Sequence, residues 1–307
     1  MKLTKKAQRQ FLEIVRNKKI YPVYQPIVSL KDGSVYGYEA LSRTDLENCV
    51  FNTEEMFHIA EKIHRLWKLE SICRRLAIKN AKDKPENTKL FINVDPKIIR
   101  DNKFRSGVTA GYLKKYGLNP EDIVLEITER NSIEDPVTFK KSIEHYTNQN
   151  YKIAIDDFGS DYAGPNRLCL LRPDIIKIDM NIVRNIDNDS FRHYFVKSLS
   201  FFGKSTGTKI IAEGIETRSE LEHLINLGID YGQGFYLAKP EKKFCGIPKE
   251  IAKEILLFNE NRQEISGSKV FEFMQSNKED EMLYIYDKNK NLIEKIPCCE
   301  VKNIFFF

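Results

Sequence analysis

The sequence predicts a (β/α)₈ barrel with one antiparallel strand near its start and a short C-terminal α/β extension. Three observations predict it. Eight short runs rich in Val, Ile, Phe and Tyr recur through the first ~240 residues, segments of helical periodicity separate most of them, and only a tight turn joins the first two.

In chain order the runs are YPVYQPIVSL, SVYGYEALSR, KLFINVDP, DIVLEITER, KIAIDDFGS, DIIKIDM, KIIAEGIE and YGQGFYLAKP. The first pair is linked by LKDGS around Asp32-Gly33, a turn dipeptide. Parallel neighbours need a crossover of about a dozen residues or more, so these two strands must run antiparallel. Asn52 with Glu55 has the form of a capping box and opens an amphipathic stretch expected to run to about Asp83. Gly117 closes a helix that starts near Thr109. Thr217 with Glu220 forms a second capping box, and Gly228 ends that helix in a left-handed cap. Strand and helix alternating over ~230 residues is the length of a TIM-like barrel.

After Pro240 the character changes. KEIAKEILLFNEN reads as a helix, and MLYIYD and LIEKIP flank KNKN as a hairpin. The tail is too short to build a large core alone. The expected division is therefore 1–246 for the barrel with its N-terminal helix and 247–307 for a helix-and-hairpin extension, expected to belong to a regulatory module.

Composition excludes several classes. The chain has 307 residues, 41% hydrophobic and 30% charged, which is globular. A net charge of +5 permits an anionic partner without calling for polymeric nucleic acid. The N-terminus is too charged for a signal peptide, and no run approaches the ~20 apolar residues of a membrane segment. The six cysteines show no CxxC spacing, consistent with free thiols in a reducing cytoplasmic setting. None of the five histidines lies in a metal-binding motif.

The chemistry gathers at the ends of the runs, where barrel enzymes place catalytic groups. Glu39, Asn93, Glu126, Glu129, Asp156, Asp157, Lys177, Asp179, Glu213, Glu216 and Gln233 all fall there. Singly, each is an ordinary solvated strand end. Together, a closed barrel brings them to one mouth, where so many like charges repel unless cations neutralise them. Carboxylates with one carboxamide suit Mg²⁺ or Mn²⁺ rather than zinc. The adjacent Asp156 and Asp157 can reach two neighbouring ions, with Asp156 bridging, and a two-metal centre serves in-line phosphoryl displacement. Lys177 lies among apolar neighbours; it either holds water or offsets phosphate charge, or else reaches solvent as a structural lysine.

These runs together resemble the signature of the EAL domain family. Glu39-Ala40-Leu41 matches the motif that names it, and FINVDP, LEITE, IDDFG, IKID, AEGIE and QGFYLAKP follow in order over roughly residues 5 to 245. The resemblance implies hydrolysis of cyclic di-GMP to linear pGpG with two Mg²⁺ or Mn²⁺ ions. It also implies a homodimer and a barrel that begins with an antiparallel pair. By the same resemblance, Glu39, Asn93, Glu126 and Asp156 would hold one metal, and Asp156 and Asp157 the second. Lys177 would contact the nucleophilic water, Glu213 would be a general base and Glu216 a further acidic group near the metals. Glu129 would steady the loop after the DDFG strand. Gln25, Leu41 and Arg43 would contact substrate, and Gln233 would sit near the metal site. Two departures stand out: Ser42 within the name motif, and Asp161 where the family usually has glycine. The alternative is a catalytically weak or silent member that acts as a cyclic di-GMP receptor or partner-binding regulator; such members typically lose ligands, and here the set is complete.

Overall fold

The computed structural model describes residues 4–102, 104–128, 136–160, 168, 171–261, 274–277, 282–286 and 292–297. The first compact unit, Met1–Glu260, is built on a closed barrel. Its strands are β1 (Ile20–Ser29), β2 (Val35–Thr44), β3 (Lys89–Asn93), β4 (Ile123–Thr128), β5 (Lys152–Phe158), β6 (Ile175–Ile178), β7 (Lys209–Ala212) and β8 (Tyr231–Gly232). As the Asp32-Gly33 turn predicts, β1 pairs antiparallel with β2; it also runs antiparallel to β8, and the remaining neighbours are parallel.

Among the described residues the helices of this unit are α1 (Lys5–Asn17), α2 (Thr53–Lys62), α3 (Leu66–Asn80), α4 (Val108–Tyr116), α5 (Pro136–Thr147), α6 (Met180–Val183), α7 (Ser190–Thr206), α8 (Arg218–Leu227) and α9 (Lys249–Asn261). Both capping boxes form, Asn52 with Glu55 and Thr217 with Glu220, and Gly117 and Gly228 close their helices in the left-handed conformation. The stretch expected as one helix to Asp83 is instead broken between α2 and α3. His64 adopts φ 53°, and Arg65 N–H reaches back to the Ala60 carbonyl at 2.7 Å. That is a helix-ending bond of the kind glycine usually supports, made here by a histidine that gives no warning in the sequence.

Strand alternation sorts the residues into layers. Ile27, Phe91, Val124, Ala154, Ile175 and Ile211 form one buried cluster inside the barrel, bordered by the stacked rings of Tyr36 and Tyr231 at 4.0 Å. A larger cluster fills the space between strands and helices, with Tyr24, Leu90, Ile92, Leu125, Ile153, Ile155 and Ile176 among its strand residues. Gly37 belongs to the inner layer because a Cβ there would lie 2.7 Å from the Phe91 ring. Burying these two clusters contributes most of the stabilisation, at roughly 25 cal/mol per Å² of apolar surface.

The barrel unit runs past the boundary expected at 246 and takes in α9. Ile255 and Phe258 are buried, Asn259 Nδ2 donates to the Leu30 carbonyl at 2.8 Å, and Tyr236 Oη donates to Glu254 at 2.8 Å. The Arg218 guanidinium lies 4.6 Å from the Phe258 ring centroid. The helix thereby packs against the β1–β2 turn, the start of α8 and the segment after β8. Leu256 and Leu257 on its other face are exposed. The second unit, Asn261–Phe307, holds a three-stranded antiparallel sheet whose middle strand pairs with one on each side. The predicted hairpin is β10 (Met282–Tyr286) with β11 (Leu292–Pro297), and β9 (Met274–Asn277) adds a strand the sequence does not announce.

Candidate active site

The polar groups of the barrel mouth stand directly above its apolar filling because strand side chains repeat every second residue. Phe91 is followed by Asn93, Val124 by Glu126, Ala154 by Asp156, Ile175 by Lys177, Ile211 by Glu213 and Tyr231 by Gln233. Gly37 precedes Glu39 in the same way, and on the reversed β1 Gln25 precedes Ile27 and pairs with Glu39. One layer is hydrocarbon and the next is ionic.

Asp157 breaks this alternation. The β5–β6 register shifts between Ile155 and Phe158, and Asp157 has φ 55°. An irregularity with a left-handed residue turns a second consecutive side chain toward the first, where a regular strand would send it to the opposite face. Asp156, Asp157 and Glu213 consequently offer carboxylate oxygens that all lie within 4.8 Å of one another.

Lys177 is the hub. It is 1% exposed, and its Nζ lies 2.5 Å from Glu213 Oε1, 2.6 Å from Glu126 Oε1, 2.9 Å from Asp156 Oδ1 and 3.6 Å from Glu39 Oε2. Burial alone would discharge this ammonium, but the surrounding carboxylates outweigh it and hold its pKa well above the usual lysine value. Its reading as a structural lysine reaching solvent therefore does not hold.

The carboxylates divide. Burial works against the charge on Glu39, yet Lys177 and hydrogen bonds from Gln233 (2.7 Å) and Asn93 (2.9 Å) hold its pKa below the usual value. Glu126 and Glu213 are pushed well up, first by burial and then by neighbouring carboxylates. Asp157 rises to about 7 for the same reasons, Asp156 being its nearest like charge. Gln233 Nε2 also donates to Gln25 Oε1 at 3.1 Å, and Gln25 Nε2 to the Ala238 carbonyl at 3.1 Å, which locks the two amides beside Glu39.

The residues present fit divalent cations. Four carboxylates share the ammonium of Lys177 and Asp157 adds a fifth beside Asp156 and Glu213, an excess of negative charge that cations would offset. Glu126 Oε1 and Asp156 Oδ1 lie within ion-pair reach of Lys177 but receive no well-directed hydrogen bond, and buried Gln233 Oε1 receives none. The donors are all oxygen, which suits hard cations.

One predicted residue stands elsewhere. Glu216, expected near the metals, is exposed and its Oε1 pairs with Arg184 Nη2 at 2.9 Å. The cause is Glu220, whose Oε2 accepts from the Glu216 and Thr217 N–H groups and whose Oε1 accepts from Asn185, drawing the loop after β7 toward Arg184. Leu41 and Arg43 are half-buried at the end of β2, and Arg43 Nη1 donates to the Ser42 carbonyl at 2.9 Å. Glu129 and Asp161 lie outside the described residues. The sequence reading missed Arg184, because a lone arginine after an apolar turn carries no signal of its partners.

The family model described as EAL domain matches residues 6–240. The chain belongs to the EAL domain family. Among curated relatives, the probable cyclic di-GMP phosphodiesterase PdeB of Escherichia coli K12 is 28% identical over 78% of this chain and 45% of its own length. The cyclic di-GMP phosphodiesterase PdeF of the same organism is 29% identical over 71% of this chain and 29% of its own. The chain thus spans less than half the length of these two relatives. Among solved structures, the Klebsiella pneumoniae BlrP1 calcium and cyclic di-GMP complex superposes with a TM-score of 0.69 at 28% identity, covering 75% of this chain and 58% of that one. A standalone EAL protein from Vibrio cholerae O395, in its cyclic di-GMP-bound form, gives 0.65 at 29% identity, covering 76% and 97%. The EAL barrel of this chain therefore matches a fold seen with metal and cyclic dinucleotide in its relatives.

Proposed function

We propose that this EAL domain hydrolyses one phosphodiester bond of cyclic di-GMP to give linear pGpG, using two Mg²⁺ or Mn²⁺ ions. The observation that carries this reading is the ionic layer at the mouth, with Lys177 held among Glu39, Glu126, Asp156 and Glu213. The relatives support the substrate, since two are named cyclic di-GMP phosphodiesterases and one structure is a manganese and cyclic di-GMP complex. The complete ligand set favours a hydrolase over a silent receptor.

Glu39, Asn93, Glu126 and Asp156 would hold one ion, and Asp156 and Asp157 the other. When bound, the ions supply a nucleophile at neutral pH and neutralise charge developing on the phosphate. The protein's own groups do the rest. Glu213 takes the proton of the attacking water at a carboxylate oxygen, from a position beside Asp156 and Asp157. Lys177 Nζ stays charged, orients the water and fixes Glu213 by their 2.5 Å contact. Gln25 and Gln233 position Glu39, and Arg43 and Leu41 at the end of β2 meet the substrate, the guanidinium on a phosphate oxygen.

The protein acts as a homodimer in the cytoplasm. Support for the dimer comes from α7, where Phe191, Tyr194 and Phe201 share one face and are 84%, 66% and 73% exposed. The location accords with Cys49, Cys73 and Cys245 being free thiols, and no helix among the described residues is long and apolar enough to cross a membrane. Incubating purified protein with cyclic di-GMP and Mn²⁺, then separating nucleotides by anion-exchange chromatography, tests the activity. Appearance of pGpG supports it; binding of intact substrate without product would assign the chain to the receptors.

A further inference from the structure

In the outer helical layer, α1, α3 and α4 enclose a groove of about 510 Å³ to which no barrel-mouth residue contributes. Its wall carries five cations: Arg16 and Lys18 at the end of α1, and Arg65, Lys68 and Arg75 along α3. No acidic residue lines it. The acids nearest in sequence are each turned to another partner, Glu13 to Lys19 at 2.8 Å, Glu61 to Lys97 at 2.8 Å and Glu70 to Arg74 at 2.9 Å. None of the five cations has an ion-pair partner within 4.0 Å among the described residues. The floor is apolar and buried at Phe11 and Ile72, with the half-buried ring of Tyr112 and the Ser71 side chain beside it.

We infer that this groove is a second anion site, separate from the mouth, for a small organic polyphosphate of nucleotide size. A concave wall of one sign focuses the field and concentrates counter-charge. The volume lies within the range of small-ligand pockets, about 300–1,000 Å³. A polyphosphate packs several negative charges into a few ångströms, whereas an extended acidic peptide spreads one charge per ~3.3 Å of chain and could bring only a few to this wall. Guanidinium groups from Arg16, Arg65 and Arg75 can fork onto phosphate oxygens, and Phe11, Ile72 and Tyr112 offer an apolar and aromatic platform that inorganic polyphosphate would not use.

Isothermal titration of the full chain, in EDTA so that phosphate cannot bind through metal at the mouth, tests this. The probes are adenosine triphosphate, inorganic tripolyphosphate and a hexaglutamate peptide. Adenosine triphosphate should bind one to one and several-fold tighter than tripolyphosphate. The Arg65→Gln, Lys68→Gln double variant should weaken it tenfold or more, because exposed side chains can be neutralised without disturbing the fold, as an unchanged melting temperature would verify. Asp156→Asn, altered at the mouth, should bind as the wild type does. Absence of saturable binding, or a loss confined to Asp156→Asn, would overturn the assignment. So would tripolyphosphate binding as tightly as the nucleotide, and equal affinity for hexaglutamate would give the groove to a protein partner instead.

Discussion

Replacing Lys177 by methionine would leave Glu126, Asp156 and Glu213 facing one another in the barrel without their counter-charge. Removing one partner of a buried pair typically costs 3–5 kcal/mol, so Lys177→Met should melt well below the wild type in EDTA. Because five carboxylates would then remain, added Mn²⁺ should recover much of that loss in the melting curve while turnover stays absent. A variant that melts as the wild type does in EDTA would show that the ammonium is not what holds the layer together. Glu213→Gln asks a different question. It should retain cyclic di-GMP binding and lose about 10²–10⁴-fold in turnover, the usual range for a general base. Equal losses in binding and turnover, read by titration and product assay, would make Glu213 a structural or metal-holding group. At this scale the sequence was informative where a strand dictated the direction of a side chain, as for Asn93, Glu126, Asp156 and Lys177. It was misleading for Glu216, because the loop after β7 follows Glu220 and Arg184 rather than strand alternation.

Two elements decide how the site is held. The irregularity in β5 gives Asp157 its φ of 55°, a conformation that asparagine and aspartate tolerate better than most residues and that β-branched residues resist. Asp157→Asn should therefore keep the fold and lose turnover, whereas Asp157→Val should lose stability as well, a contrast that circular dichroism melting alongside the product assay would resolve. Helix α9 is the second element. The sequence places the end of the barrel domain at residue 246, but Ile255 and Phe258 are buried and Asn259 bonds to Leu30. Phe258→Ala should cost about 3–5 kcal/mol, as large aromatic deletions do in cores, and truncation at Gly246 should cost more. A truncated chain that melts as the intact one does would return the helix to the extension. Capping boxes and cap glycines marked both ends of α8, the start of α2 and the end of α4, because each satisfies orphan backbone groups with a fixed spacing. The break at His64 and the turn at Asp157 were illegible, since neither uses glycine.

Across the molecule, one geometric rule links fold to function: closing the sheet turns strand alternation into stacked layers, so apolar residues fill the barrel and the next inward positions crown it. The apolar runs and the reversed first strand were legible for that reason, and so was most of the mouth. The extent of the barrel unit was not, because α9 differs from a free amphipathic helix only in what its two buried residues touch. If the exposed aromatic face of α7 joins two copies, Phe201→Glu should shift the sedimenting species from dimer to monomer; a wild type that sediments as a monomer at micromolar concentration would contradict the dimer. The central claim is tested most directly by one measurement. Wild type and Asp156→Asn, matched for melting temperature, are incubated with cyclic di-GMP in Mn²⁺, and pGpG is quantified by chromatography. The account predicts steady production of pGpG by the wild type, none without divalent cation, and a loss of at least about 10³-fold in Asp156→Asn. Comparable pGpG from both proteins, or from the wild type in EDTA, would contradict it.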